Sequence, residues 1–148
     1  MKLKFLLYFS LLIHFFSCQN AKMNSGNLEV KEVDFEDVNH VNIKLIDSEF
    51  KILKSQNEIN NIYKIINDNN PSPRKTPIPI FEENETYIVL QPRIEQSDFT
   101  VEGISEIDQS LQIIIQQYDN PEFKNKKYPA IIIKLNKKSN YDNVKIKK

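Results

Sequence analysis

Residues 55–68, SQNEINNIYKIIND, decide the fold, because they carry the one run of helical periodicity downstream of residue 28. Ser55 can offer its side-chain oxygen to orphan backbone amides, and Glu58, three residues on, completes a capping-box signature. Ile59, Ile62, Tyr63 and Ile66 then recur at intervals of three and four, and Asn67–Asn70 ahead of Pro71 ends the run. The spacing predicts a helix over residues 56–68 with one apolar face that must find a sheet to cover.

Outside this helix the apolar residues are patterned for strands. Downstream, Thr86–Leu90, Phe99–Val101, Leu111–Ile115 and Ala130–Ile133 are short, β-branched or aromatic, and bounded by turn residues, with Val144 and Ile146 forming a last short strand. The Phe99/Val101 alternation breaks at Gly103 and resumes out of phase at Ile104 and Ile107, which predicts a bulge. Asp108-Gln109-Ser110 predicts a hairpin turn, and Asp119-Asn120-Pro121 opens a longer loop. Upstream, Val41, Ile43 and Leu45 alternate with Asn42 and Lys44, and Phe50 and Ile52 follow across Asp47-Ser48, which predicts a hairpin. One helix followed by five antiparallel strands predicts an α+β fold, an N-terminal helix packed on a mainly antiparallel β-sheet or small β-sandwich. Between helix and strands, residues 69–80 hold Pro71, Pro73, Pro77 and Pro79, which press the chain toward extended polyproline-like geometry. This segment reads first as a stiff crossover and second as a docking segment.

The start of the chain concerns location. Lys2 and Lys4 precede the apolar run Phe5–Phe16, FLLYFSLLIHFF, the basic and apolar regions of a signal peptide. As a helix that run would span about 18 Å, short of the about 30 Å of hydrocarbon in a bilayer. It gives way to Ser17-Cys18, an arrangement that resembles a relaxed bacterial lipobox, with Phe15 and Phe16 where leucine and a small residue are usual. The resemblance implies removal of residues 1–17 and lipidation of Cys18, which would hold the protein on a membrane of the bacterial cell envelope, the outer membrane first. Residues 18–27 then form the lipidated cysteine and a flexible polar tether, and residues 28–148 a single domain of about 120 residues, enough for a core.

Composition excludes more than it selects. Formal charge is zero for the whole chain and about −2 once Lys2 and Lys4 are removed, so nothing global asks for nucleic acid. Acidic side chains outnumber basic ones about two to one over residues 19–118, and basic outnumber acidic about three to one over residues 119–148, a bias read first as lysine-protected strand edges. One cysteine closes no intrachain disulfide, and with His40 the single histidine beyond the signal peptide no metal site is expected. No cofactor is expected either, since no Gly-rich phosphate loop exists. A Ser-His-Asp mechanism would have to use His40, read as a surface residue of an alternating strand. Glu82, Glu83, Glu85, Asp98, Glu102, Glu106 and Asp108 are read as solvated loop acids, with a paired-carboxylate hydrolase as the minority alternative. The lack of tryptophan weakens a glycan platform, although Phe99, Tyr118 and Tyr128 offer flat surfaces.

Taken in order, KSQNEINNIYKIIN, the Pro-rich approach to Phe81, YIVLQ, IEQSDFTVEGI, LQIIIQQY and KKYPAIIIKL make residues 50–148 similar to the protease complex subunit PrcB C-terminal family. Where that family has a Gly-Gly-Tyr-like step, this chain has Ser97-Asp98-Phe99, keeping the aromatic residue and losing both glycines. The resemblance implies a non-catalytic accessory lipoprotein that binds a protein partner, a secreted or surface protease complex among them, and brings no catalytic residues. The rival expectation is a small envelope hydrolase or glycan-binding protein using acidic loop residues. Candidate partner-binding residues are Pro71, Pro73, Pro77 and Pro79, which lower the ordering cost of association, and the basic loop Lys124, Lys126, Lys127 and Tyr128, which would steer an acidic partner.

Overall fold

A computed structural model describes residues 29–94, 97–121, 128–138, 141 and 143–148. Among these residues eight strands and one helix follow in the order β1 (Lys31–Glu32), β2 (Phe35–Asn42), β3 (Phe50–Leu53), α1 (Gln56–Asp68), β4 (Thr86–Leu90), β5 (Asp98–Ile107), β6 (Ser110–Tyr118), β7 (Pro129–Leu135) and β8 (Asn143–Lys147). They build an α+β fold of three layers. A central sheet has the order β2-β7-β4-β3, an outer sheet the order β1-β5-β6-β8, and the helix covers the face of the central sheet that the outer sheet leaves free.

The layers follow from which strands can be buried twice. β4 and β7 lie in the middle of the central sheet, so Tyr87, Val89, Ala130 and Ile132 point to the helix while Ile88, Leu90, Ile131 and Ile133 point to the outer sheet, and each strand carries four consecutive apolar residues buried on both faces. β6 is covered on one side only: Leu111, Ile113 and Ile115 are buried and Ile114 and Gln116 face out. Helix α1 contributes Ile59, Ile62, Tyr63 and Ile66, the four residues its spacing selects. Ser55 is its N-cap, accepting from the Glu58 N–H at 3.3 Å. The Glu58 carboxylate reaches one residue further back than a capping box requires, to the Lys54 N–H at 2.7 Å.

The Gly103 bulge is present, as a register shift between Val101 and Gly103 against β6. Asp108 and Gln109 form the β5–β6 turn with φ of 48° and 61°, the left-handed pair that a two-residue hairpin of matching twist demands. Three expectations are corrected. The helix is not N-terminal, because three strands precede it. β2 and β3 are not a hairpin: β2 pairs with β7 and β3 with β4, placing them at opposite edges of the central sheet. The expected first strand of that hairpin is also displaced: β2 ends at Asn42, so Val41 and Asn42 lie in it while Ile43, Lys44 and Leu45 fall in the loop that follows. Finally, β8 runs parallel to β6, the one parallel pair among the described strands. Among the described residues no helix is long and apolar enough to cross a membrane.

Candidate functional site

The Pro-rich segment is fastened to the helix at two points. Asn67 accepts from the Thr76 N–H at 2.6 Å and donates to the Thr76 carbonyl at 3.1 Å, imitating a strand neighbour. Eleven residues earlier on the helix, Gln56 donates to the Pro79 carbonyl at 3.1 Å and accepts from the Phe81 N–H at 2.7 Å. Eleven helical residues rise about 16 Å and five residues of polyproline-like chain span about 15 Å, so the segment lies antiparallel along α1 at its natural length. Pro71 and Pro73 sit in the exposed turn before it, where Asn70 accepts from the Ser72 N–H at 2.9 Å. Pro77 and Pro79 flank Ile78, and the result is an exposed ridge on which Ile78 is 45% and Ile80 79% accessible.

At the other end of β4 a second polar side chain fixes a loop. Gln91 is buried, accepts from the Leu45 and Ile46 N–H groups at 2.9 and 3.1 Å, and donates to the Ile43 and Tyr128 carbonyls at 2.9 and 3.2 Å. Tyr128 is held again through its N–H to Asn42 at 3.0 Å, with its ring about half exposed. Lys124, Lys126 and Lys127, expected to share this loop, lie outside the described residues, as does Cys18. The Pro-rich ridge approaches the sheet at Phe81, beside Tyr87 near the start of β4, whereas Tyr128 is tied to Gln91 just past its end. Tyr128, the one described residue of the second set, therefore lies at the opposite end of β4 from the Pro-rich ridge.

The most concentrated polar chemistry is at Asp98, which the sequence reading took for a solvated acid and which is fully buried at the start of β5. Four donors meet its carboxylate: His40 Nε2 at 2.8 Å and the Phe99 N–H at 2.8 Å on one oxygen, the Tyr118 hydroxyl at 3.1 Å and Asn120 Nδ2 at 3.0 Å on the other. These come from β2, β5, β6 and the following loop, so one anion ties the edge of the central sheet to the outer sheet. Charge-assisted bonds are what permit such burial. His40 is a surface residue as expected, its side chain 33% exposed, yet it is anchored on a buried carboxylate. Burial, and then the neighbouring Asp98, push the Tyr118 hydroxyl above its ordinary range. An imidazole held by a buried carboxylate is also the pairing used in acid–base catalysis, although four donors already occupy the carboxylate here.

Two further clusters close the opposite end. Glu106 accepts from Lys137 and from the Tyr141 hydroxyl, which hold its carboxyl below the usual range. Lys134 lies between Glu36 at 3.0 Å and Glu85 at 3.4 Å, and burial followed by Glu85 pushes Tyr87 up to about 12. No group of three or more potential metal ligands gathers among the described residues. Sequence reasoning missed Gln56, Asn67, Gln91 and Asp98. The one signal was positional: each amide sits next to an apolar run or a proline segment whose backbone needs a partner.

With the geometry in place, no protein-family model, no curated protein and no solved structure matches this chain.

Proposed function

We propose that this protein is a membrane-anchored lipoprotein of the bacterial cell envelope that acts, without catalysis, as a protein-binding accessory module. The observation that carries the reading is the ridge Pro77–Ile80. Two aliphatic side chains are held in solvent on a backbone already fixed by Gln56 and Asn67, so a partner would bury apolar surface without first ordering the segment. Cys18 would supply the anchor through its lipid. A secreted or surface protease complex is the partner put first, and that part rests on the PrcB-like motifs alone.

The test is affinity capture from solubilised envelopes with wild type and an Ile78→Asp/Ile80→Asp variant. The reading expects a stoichiometric protein recovered by the wild type and reduced at least tenfold by the variant, with the melting temperature unchanged. A wild-type protein that captures nothing, or a capture indifferent to both substitutions, defeats it. A second reading, a small envelope hydrolase or glycan binder, has one observation in its favour, the His40–Asp98 pair. Turnover or glycan binding abolished by His40→Asn would establish it in place of the first.

A further inference from the structure

The free edge of the central sheet has a chemistry that specifies its occupant. Among the described residues β3 closes that sheet and pairs only with β4. Gln91 N–H donates to the Glu49 carbonyl at 2.8 Å, so the pair 49/91 is a hydrogen-bonded one. Antiparallel alternation then turns the backbone groups of Lys51 and Leu53 toward β4 and those of Phe50 and Ile52 outward. Two side chains agree with that parity. Ser48 Oγ donates to the Phe50 carbonyl at 2.6 Å, and the Glu58 carboxylate accepts from the outward Lys54 N–H at 2.7 Å. Between these caps the Ile52 N–H and C=O and the Phe50 N–H have no partner among the described residues.

A groove of about 310 Å³ adjoins this opening, with Ile52, Leu53 and Phe81 in its wall. Lys54 and Lys138 stand on its rim, neither in an ion pair among the described residues, together with two acids: Glu85, which is engaged by Lys134 and Tyr87, and Glu83, which is in no ion pair among the described residues. The other edges are managed differently: β1 has two residues, β2 carries a register break between Asp37 and Asn39, and β8 turns Lys145 and Lys147 outward. β3 is four residues long and turns one lysine outward, Lys51, which is held by Glu58 at 3.3 Å, and its backbone is otherwise capped only at the two ends.

We infer that β3 is a strand-addition site for an extended segment of another polypeptide that bears acidic side chains. Unpaired backbone donors and acceptors at strand spacing are satisfied by a strand, the groove takes an apolar side chain from one of its faces, and the lysines favour carboxylates beside it. The inference rests on reading the chain as a protein-binding module and adds where and how a partner binds.

The experiment selects a random peptide library on the immobilised full chain and measures the enriched peptides, synthesised singly, against variants. Proline is tolerated on an edge where the lost N–H faces solvent, so Ile52→Pro should fold and remove one bond to the partner. The expected result is acidic, alternating peptides that lose at least tenfold in affinity on Ile52→Pro, gain several-fold on Ser48→Ala as the Phe50 carbonyl is released, and slow hydrogen exchange at the Ile52 amide in the wild type. The exchange measurement decides the matter if Ile52→Pro does not fold. Peptides that bind Ile52→Pro as well as wild type, or leave the Ile52 amide unprotected, keep the chain a binding module and remove β3 as the site. Failure of any peptide to enrich also overturns the strand-addition site, leaving envelope capture to judge the broader reading.

Discussion

The chain contains the tripeptide Ile-Ile-Ile twice, at residues 113–115 in β6 and 131–133 in β7, and the two meet different fates. In β7 all three side chains are buried, Ile132 beneath the helix and Ile131 and Ile133 between the sheets. In β6 the outer two are buried and the middle one, Ile114, is 41% accessible. Strand geometry is the same in both, since successive side chains alternate faces. What differs is the supply of covering elements: one helix serves one face of one sheet, and the outer face of the other sheet receives none of the described elements. The residues before each run record this, Gln112 ahead of the half-covered one and Ala130 ahead of the fully covered one, while those after them, Gln116 and Lys134, are both polar.

The largest expected effect tests the covered run. Ile132→Ala should destabilise the protein by roughly 2–5 kcal/mol, the cost of a buried truncation that leaves a cavity. Ile62 and Ile132 belong to the same apolar cluster, so Ile62→Ala should cost a similar amount. Chemical denaturation of both single variants and the double variant should give a coupling of about 0.5–3 kcal/mol if they meet across the interface. Additive effects would separate the helix from that face.

The next effects concern the two ends of β5, closed by unlike devices. At Asp98 the anion is buried, and Asp98→Ala strands its donors. His40 and Tyr118 can turn to water, but the Phe99 N–H lies behind a fully buried ring, so a cost of about 1–3 kcal/mol is expected in urea titrations. Glu106, at the other end, is more open and should show itself through pH. Its carboxyl is held below the ordinary value of 4.5 by Lys137 and Tyr141, so the folded state binds its proton less readily than the unfolded chain. Its contribution is complete above that ordinary value and lost as pH falls through the lower, folded one. Glu106→Gln should therefore flatten the acid limb of the stability profile below about pH 4.5; an unchanged limb would show that the pairing contributes nothing.

A smaller gain is expected at the turn joining β5 to β6. Gln109 adopts φ 61°, a left-handed conformation costly for a residue with a Cβ. Gln109→Gly relieves that strain while enlarging the entropy of the unfolded chain, for a net gain of about 0.5–1 kcal/mol. A loss in thermal denaturation would mean that the glutamine side chain makes a stabilising contact.

How much of this was legible depended on whether a residue's partner is set by the element it belongs to or by an element distant in sequence. The helix Gln56–Asp68 could be read to its ends, because its cap and its four apolar residues are local properties of one element. The runs at Thr86–Leu90 and Ala130–Ile133 were legible as strands. What could not be read was pairing. Val41, Ile43, Phe50 and Ile52 alternate as a hairpin would, yet Ile43 lies past the end of β2, and β2 and β3 sit at opposite edges, with β7 and β4 brought between them from later in the chain. Asp98 was misread for the same reason, since three of its four donors lie at residues 40, 118 and 120. An acidic residue gives no local sign that distant donors will gather on it.

The smallest expected effect tests the exposed run and reaches back to function. Ile114 shares with Val30 an open groove of about 550 Å³ on the outer face of the outer sheet, and both side chains are largely in solvent. Ile114→Ala should change stability by less than about 0.5 kcal/mol, as substitutions on an uncovered surface do. Urea unfolding of the full chain, repeated over a hundredfold range of protein concentration, checks this and separates two ways of failing. A loss of 1–2 kcal/mol independent of concentration would mean that residues of the same chain outside the described set pack on Ile114, making β6 a second fully covered strand. A loss that grows with concentration would mean that another copy covers it, because association stabilises the folded state by mass action. The small value alone leaves the asymmetry of the two isoleucine runs intact, with the helix as the single cover and the outer sheet's polar face turned to solvent.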